Sequence, residues 1–261
     1  MQKIDYIIPT WNSGNTLWLT LESIDKYGDP NNKIIVDRYS EDDTIEIAKK
    51  FNCIILKTNA SLGAARRLGA KEAKTEMIAF VDSDVEVTEQ WVEIIKCVIE
   101  NRYSDAGVIG SYYEDYFSRK IDHPYELKGG NGAFGCCITY RDLILECEDL
   151  DYYSSAEDQF YASFIYSKKG LKWYILPNPV LHHQNITKIP HYLRIRWLGA
   201  GLRKREGFKL LHIKQIIGGA IFGIKCGLKI TYRENFIQRW NYFIGYIMYK
   251  KHYEIDRSRY K

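Results

Sequence analysis

Short apolar runs alternate with stretches of spaced apolar positions through the first 110 residues of the chain. The runs at residues 3–8, 33–36, 53–56, 77–81 and 107–109 are rich in Ile and Val and read as strands buried on both faces. Between them, residues 16–26, 43–51 and 88–101 space their apolar side chains by one helical turn. Trp91, Ile94, Ile95, Val98 and Ile99 form the stripe of the last. Ser61 is placed to cap a further helix that runs through Ala73. This alternation predicts an α/β fold, a mostly parallel sheet flanked by helices, with ligands beyond the carboxyl ends of the strands.

After Gly110 the rhythm changes. A Tyr- and Asp-rich connection leads to a glycine-rich segment at 129–135, a strand at 136–140 and a short helix. A helix at 156–169 follows, then a strand at 172–175, a turn at Pro177-Asn178-Pro179 and the run Val180-Leu181-His182-His183. The glycine-rich segment lacks a following Gly-Lys-Ser/Thr and does not open a βαβ helix, so it reads as close backbone packing along a cleft and not as a phosphate loop. From Pro190 the pattern is helical to the end. Residues 216–224 are apolar and uncharged, but the run is under half of the roughly 20 residues that cross a bilayer.

At 261 residues, 46% hydrophobic and 14% aromatic, the chain has enough apolar surface for a folded core, which sets disorder aside. Cysteines at 53, 97, 136, 137, 147 and 226 lie in apolar or helical patterns without a Cys-x-x-Cys pair, and no signal region precedes the first strand. Reduced thiols in a cytoplasmic protein are the expectation, with Cys136-Cys137 as packing residues. The net charge of +4 conceals an asymmetry: residues 1–187 carry 20 Lys+Arg against 29 Asp+Glu, and residues 188–261 carry 17 against 4. A basic surface of this kind suits anionic lipid head groups or nucleic acid. The aromatics that recur at Phe236, Trp240, Tyr242, Phe243, Tyr246 and Tyr249 form a helical stripe, better suited to packing or lipid contact than to base readout. The expectation is therefore peripheral contact with the cytoplasmic membrane face through 188–261 and no nucleic-acid partner.

The segment 79–87 ends an apolar strand with Asp82-Ser83-Asp84. Two carboxylates at a strand tip are enough protein to hold a hard divalent cation against a diphosphate, since such cations keep waters and take phosphate oxygens. The tripeptide is also ordinary turn chemistry, so its meaning depends on its neighbours. Three other features fall at strand ends of the expected sheet: Pro9-Thr10-Trp11-Asn12 after the first strand, Asp37 after the second, and Arg66 early in the helix after the third. Together they would line one crevice.

In this order the motifs resemble the family-2 glycosyltransferases with a GT-A (Rossmann-like) fold. Ile7-Ile8-Pro9-Thr10-Trp11-Asn12 matches the first strand, Val36-Asp37 with Ser40-Glu41-Asp42-Asp43-Thr44 the second, Ala64-Ala65-Arg66 the helix and Asp82-Ser83-Asp84 the Asp-x-Asp element. The resemblance runs on through 130–140, Glu157-Asp158 and the 177–183 segment, and covers residues 3–185. It implies a glycosyltransferase domain at 1–187, with a nucleotide-sugar half at 1–110 and an acceptor half at 111–187, followed by a helical extension at 188–261. It also implies donor contacts at Pro9, Thr10, Asn12 and Ser83, Asp37 on a uracil-type base, Arg66 on nucleotide or diphosphate, Asp82 on the ribose and Asp84 on the metal.

The family's base position falls on Asp158, with Glu157 beside it, and its histidine on His183, with His182 as the fallback. Read without the resemblance, the two acids are a helix N-terminus behind Ser154 and Ser155. A histidine ligand would favour Mn²⁺ over Mg²⁺. Arg38, Tyr39 and Arg67 depart from the pattern: extra cations would suit a more negatively charged donor, and solvent-exposed helix arginines are the alternative. The implied reaction is an inverting, metal-dependent transfer from a nucleotide-diphosphate sugar, UDP-linked by preference, to a hydroxyl of a glycan or lipid-linked glycan. A polyprenyl-phosphate sugar synthase and a sugar nucleotidyltransferase are the competing readings. The first needs no base of the Asp158 kind, and the second needs a Gly-rich, Arg- and Lys-bearing loop that residues 9–14 lack.

Overall fold

A computed structural model describes residues 3–113, 123–127, 134–183, 191–222 and 232–248. The chain divides into two compact units, one of residues 1–152 with 157–185 and one of 153–156 with 186–261. In the first unit β1 (Ile4–Thr10), α1 (Leu17–Tyr27), β2 (Pro30–Asp37), α2 (Thr44–Lys50), β3 (Ile54–Lys57), α3 (Leu62–Glu72) and β4 (Met77–Val81) alternate as the sequence pattern requires. Then come β5 (Val85–Glu86), α4 (Trp91–Ile99), β6 (Ala106–Tyr113), β7 (Tyr125–Glu126), β8 (Cys136–Tyr140), α5 (Arg141–Glu146), a 3-10 turn (Glu148–Tyr152), α6 (Glu157–Lys169) and β9 (Lys172–His182). The sheet order is β3-β2-β1-β4-β8-β6-β9-β5, with β7 also on β9. The β3-β2-β1-β4 half is parallel; β8 runs antiparallel to both β4 and β6, and β9 is parallel to β6.

Strand alternation sends successive side chains into two cores. Ile4, Tyr6 and Ile8 of β1 join Leu17, Leu21 and Trp91 on one face, while Ile7 joins Ala65, Phe80 and Val108 on the other. Each Ile buried this way contributes about 2 kcal/mol of transfer free energy, which explains why these strands read as unbroken apolar runs. Helix α3 is seated closely because of two glycines: a Cβ on Gly63 would meet the Leu150 carbonyl oxygen at 2.0 Å, and one on Gly69 would meet Ile7 Cγ2 at 2.4 Å. Gly63, Arg66 and Gly69 recur every third residue, so Arg66 faces inward between two contact points. Ser61 caps this helix, accepting from the Ala64 amide at 3.0 Å, and Ala73 ends it.

Two expectations change. Pro177-Asn178-Pro179 is not a turn: β9 continues through it to His182. Prolines lack an amide donor and are accommodated where a ladder is irregular, and the β6–β9 register shifts between Gly110 and Tyr112, opposite this stretch. β7 pairs with 174–175 and β5 with 181–182, and neither reaches the prolines. Arg67 is the second case. It is buried, donating from Nε to Ile144 O (3.3 Å), from Nη2 to Leu145 O (2.9 Å) and from Nη1 to Glu148 O (3.4 Å) and Asp151 Oδ2 (2.5 Å). These acceptors lie at the end of α5 and in the 3-10 turn that follows it, so Arg67 is a structural clamp and not an exposed arginine. The described cysteines are free, and all of them but Cys53 are buried.

The second unit contains α7 (His191–Glu206), α8 (Leu210–Phe222) and α9 (Tyr232–Ile247). Helices α7 and α9 approach closely through glycines: a Cβ on Gly199 would meet Tyr242 O at 2.0 Å, and one on Gly245 would meet Arg196 O at 1.8 Å. Gly207, with φ 70°, ends α7. No helix among the described residues is long and apolar enough to cross a membrane. The glycine-rich residues 129–133 and Tyr249 lie outside the described residues.

Candidate active site

The tips of β1 and β2 end level, with Thr10 opposite Asp37 and Pro9 opposite Val36. Asp37 is fully buried and accepts from Thr10 Oγ1 (3.0 Å), the Ser40 amide (2.9 Å) and Ser40 Oγ (2.5 Å). Ser40 Oγ in turn accepts from the Asn12 amide at 2.8 Å, and Asn12 Oδ1 accepts from the Glu41 amide at 2.9 Å. Asn12 (φ 49°) and Tyr39 (φ 50°) adopt left-handed backbone, tolerable for Asn and strained for Tyr. Ser13 carries the lacing across to β4 by sharing a 2.8 Å hydrogen bond with Ser83, and its amide donates to Thr44 Oγ1 at 2.7 Å. Arg38 lies over the Trp11 ring at 5.9 Å, and Lys57 over Tyr39 at the same distance.

Arg66 joins the tip of β4 to the start of α6. Its Nη2 donates to Asp82 Oδ1 at 3.0 Å and stands 3.7 Å from Glu157 Oε1, while Phe80 and Phe134 cover the guanidinium at 5.3 and 4.8 Å. Burial works against its charge, but Asp82 and Glu157 overcome that and hold its pKa above the ordinary arginine value. Its Nε and Nη1 are buried without a hydrogen-bond partner, an expensive arrangement outside a functional site. Phe134, next to the Gly135 carbonyl that accepts from the Asp82 amide at 2.8 Å, was not expected in the site. Only its place beside a strand could have marked it.

Helix α6 begins with the two acids. Glu157 is buried; Asp158 is half-buried, and its Oδ1 accepts from the Gln159 amide at 2.7 Å. Removal from water and then the Glu157 charge push Asp158 up to about 7, against the lowering effect of the Gln159 amide and Arg66. Ala156, immediately before the helix, has φ 59°, a left-handed conformation that costs about 1–3 kcal/mol and is typical of sites under functional constraint. A carboxyl group that titrates at about 7 suits proton transfer.

The β5–β9 ladder brings both histidines to Asp84 and Glu86. His182 Nε2 lies 3.5 Å from Asp84 Oδ2, whereas His183 Nε2 is 2.8 Å from Glu86 Oε2. The His183 amide donates to Asp84 O at 2.7 Å, so the two residues meet through backbone, and the His183 ring reaches along the strand to Glu86. The side chain beside Asp84 is therefore that of His182. Among the described residues no three His, Cys, Asp or Glu side chains form a ready-made metal cage. A carboxylate and an imidazole on facing strands still fit a cation that takes its remaining ligands from water and phosphate.

The poly(ribitol-phosphate) beta-N-acetylglucosaminyltransferase TarS of Staphylococcus aureus is 26% identical over 187 residues, covering 64% of this chain and 33% of TarS. The Staphylococcus aureus poly(ribitol-phosphate) beta-N-acetylglucosaminyltransferase TarP is 30% identical over 139 residues, covering 49% of this chain and 42% of TarP. The chain thus spans less than half the length of these relatives. The crystal structure of Staphylococcus aureus TarS 1–349 superposes with a TM-score of 0.57 at 20% identity, over 95% of this chain and 81% of that one. Glucosyl-3-phosphoglycerate synthase from Mycobacterium tuberculosis, in complex with Mn²⁺, UDP and glucosyl-3-phosphoglycerate, gives 0.57 at 16% identity, over 80% and 81%. The shared sheet is the GT-A fold. Residues 5–146 match the model of glycosyl transferase family 2, more than half of the chain, and the protein belongs to that family.

Proposed function

We propose that the protein moves a sugar, with inversion, from a nucleotide-diphosphate sugar to a hydroxyl of a glycan or lipid-linked glycan. The observation that carries this reading is the Arg66 bridge, which gathers Asp82 at the tip of β4 and Glu157 at the start of α6 beside Asp158. The donor occupies the strand tips, held by Pro9, Thr10, Asn12 and Ser83, with Asp82 on the ribose. A base N–H that reaches Asp37 must displace Ser40, whose amide and hydroxyl now occupy it. The unpartnered Nε and Nη1 edge of Arg66 is the part left for diphosphate oxygens.

In the transfer, ionised Asp158 accepts the proton of the acceptor hydroxyl as its oxygen bonds to the anomeric carbon, and the bond from that carbon to the diphosphate breaks. Glu157 holds Asp158 and the acceptor in place. Asp84, with His182 or His183, would hold a divalent cation, Mn²⁺ or Mg²⁺, which when bound offsets the charge gathering on the departing diphosphate. The relative TarS has been crystallised in complex with UDP-GlcNAc, and the synthase with UDP and either Mn²⁺ or Mg²⁺, which favours a UDP-sugar and a cation here. A polyprenyl-phosphate acceptor is already ionised and would leave Asp158 without a task. The catalytic domain is assigned to 1–187 and peripheral membrane contact to 188–261, at the cytoplasmic face.

A thermal-shift screen of UDP-, GDP- and dTDP-sugars with and without Mn²⁺ tests the donor reading. A metal-dependent rise in Tm with the UDP-sugars alone is the expected result; no shift with any nucleotide sugar would overturn it.

A further inference from the structure

The second unit keeps large apolar side chains in solvent at a turn that is firmly held. After α7 closes at Gly207, Phe208, Leu210 and Leu211 are 57%, 61% and 60% exposed. An exposed apolar turn is ordinarily loose, but this one is pinned from beneath by the fully buried Tyr246, whose hydroxyl accepts from the Lys209 amide at 2.8 Å and donates to Gly207 O at 3.1 Å. Arg203 lies on the Phe208 ring at 4.5 Å. Tyr246 also carries its exposed neighbours Ile247 and Met248 to this end of the unit. Along the same helix the stacked pair Phe236 and Trp240, with near-parallel rings 6.5 Å apart, continues the exposed stripe.

The residues that flank the turn in sequence are mostly basic. Arg203, Lys204, Arg205, Lys209 and Lys214 are opposed within residues 203–214 by Glu206 alone. An apolar and aromatic turn flanked in sequence by cations matches the boundary of a bilayer whose head groups are anionic, where the rings sit at head-group depth and the cations meet phosphate. A protein partner of ordinary composition would call for mixed charges at the rim.

We propose that the Phe208–Leu211 turn and the exposed edge of α9 form an anionic-lipid docking surface. The proposal rests on the membrane contact assigned above to 188–261 and names its surface and its lipid class. Binding is the sum of two parts, insertion of Phe208, Leu210 and Leu211 and attraction of the surrounding cations, so it weakens with salt without vanishing at once.

Flotation of the full chain with vesicles of phosphatidylcholine, with and without phosphatidylglycerol, separates the outcomes. The expected result is recovery with the phosphatidylglycerol vesicles only, reduced by added salt and weakened about tenfold or more in Phe208→Ser/Leu210→Ser/Leu211→Ser. Lys209→Gln/Lys214→Gln should weaken binding less and flatten the salt dependence. Equal recovery with both vesicle types, no recovery with either, or native binding by the triple variant would overturn the proposal. So would a native dimer that the triple variant converts to a monomer, which would make the surface a self-interface. The donor-induced thermal shift of these variants should stay as in the native chain, so failure here is distinct from failure of the transferase reading.

Discussion

The tips of β1 and β2 and the surroundings of Arg66 treat their polar groups in opposite ways. At the tips of β1 and β2, Thr10, Asn12, Asp37 and Ser40 satisfy one another through short hydrogen bonds, and Asp37 is entirely enclosed. Around Arg66 the groups are left unmatched: two buried guanidinium nitrogens lack partners, two acids are neighbours in sequence, and Ala156 is strained. The first side is a satisfied wall, and the second combines unmatched buried polar groups with local backbone strain. A satisfied wall holds its side chains in one geometry, while removal from water and the Glu157 charge push Asp158 up to about 7.

Substitutions should break the two sides differently. Asp84→Asn should abolish the Mn²⁺-dependent part of the donor-induced thermal shift with the far-UV spectrum unchanged; a full metal-dependent shift in that variant would remove Asp84 as the ligand. Arg67→Ala should lower unfolding free energy by about 2–4 kcal/mol in urea, because several buried carbonyls and Asp151 lose their donor. A loss below about 0.5 kcal/mol would place Arg67 among ordinary surface residues. Ser13→Ala should cost about 1 kcal/mol and weaken donor binding modestly, since the lacing to Ser83 and a long hydrogen bond from the Trp11 amide are lost.

The smallest effect has an informative sign. Asp158 titrates at about 7 in the folded chain, above its ordinary carboxylate value. The stability tied to its proton is complete below that ordinary value and is lost as pH rises through about 7. Asp158→Asn should therefore raise Tm over the native chain more at alkaline than at acidic pH. Equal differences at both would mean that burial and Glu157 do not raise this group.

Much of the wall was legible in the sequence. Apolar runs located β1, β2 and β4, and Ser61 and Ala73 marked the ends of α3, because these signals are local. Arg67 was not, since the carbonyls it clamps arrive from α5 and the following turn, some 80 residues along. Arg66 was expected to face a diphosphate, yet its burial follows from the Gly63 and Gly69 contacts, which become evident only when α3 meets β1 and Leu150. The histidines illustrate a finer limit. Register sets His183 against Asp84 along the backbone, but which ring reaches which acid is decided by side-chain direction across the strand pair.

The central claim is that Asp158 takes the acceptor's proton in a cleft that holds the donor. The most direct measurement is acceptor-dependent nucleotide release by the native chain and Asp158→Asn, side by side across pH, with donor binding checked by thermal shift. The account predicts a native rate that rises through about 7 and levels off, and a variant that binds donor yet is slower by about 10²–10⁴-fold. A near-native rate in the variant, or a native profile flat through that range, would contradict it.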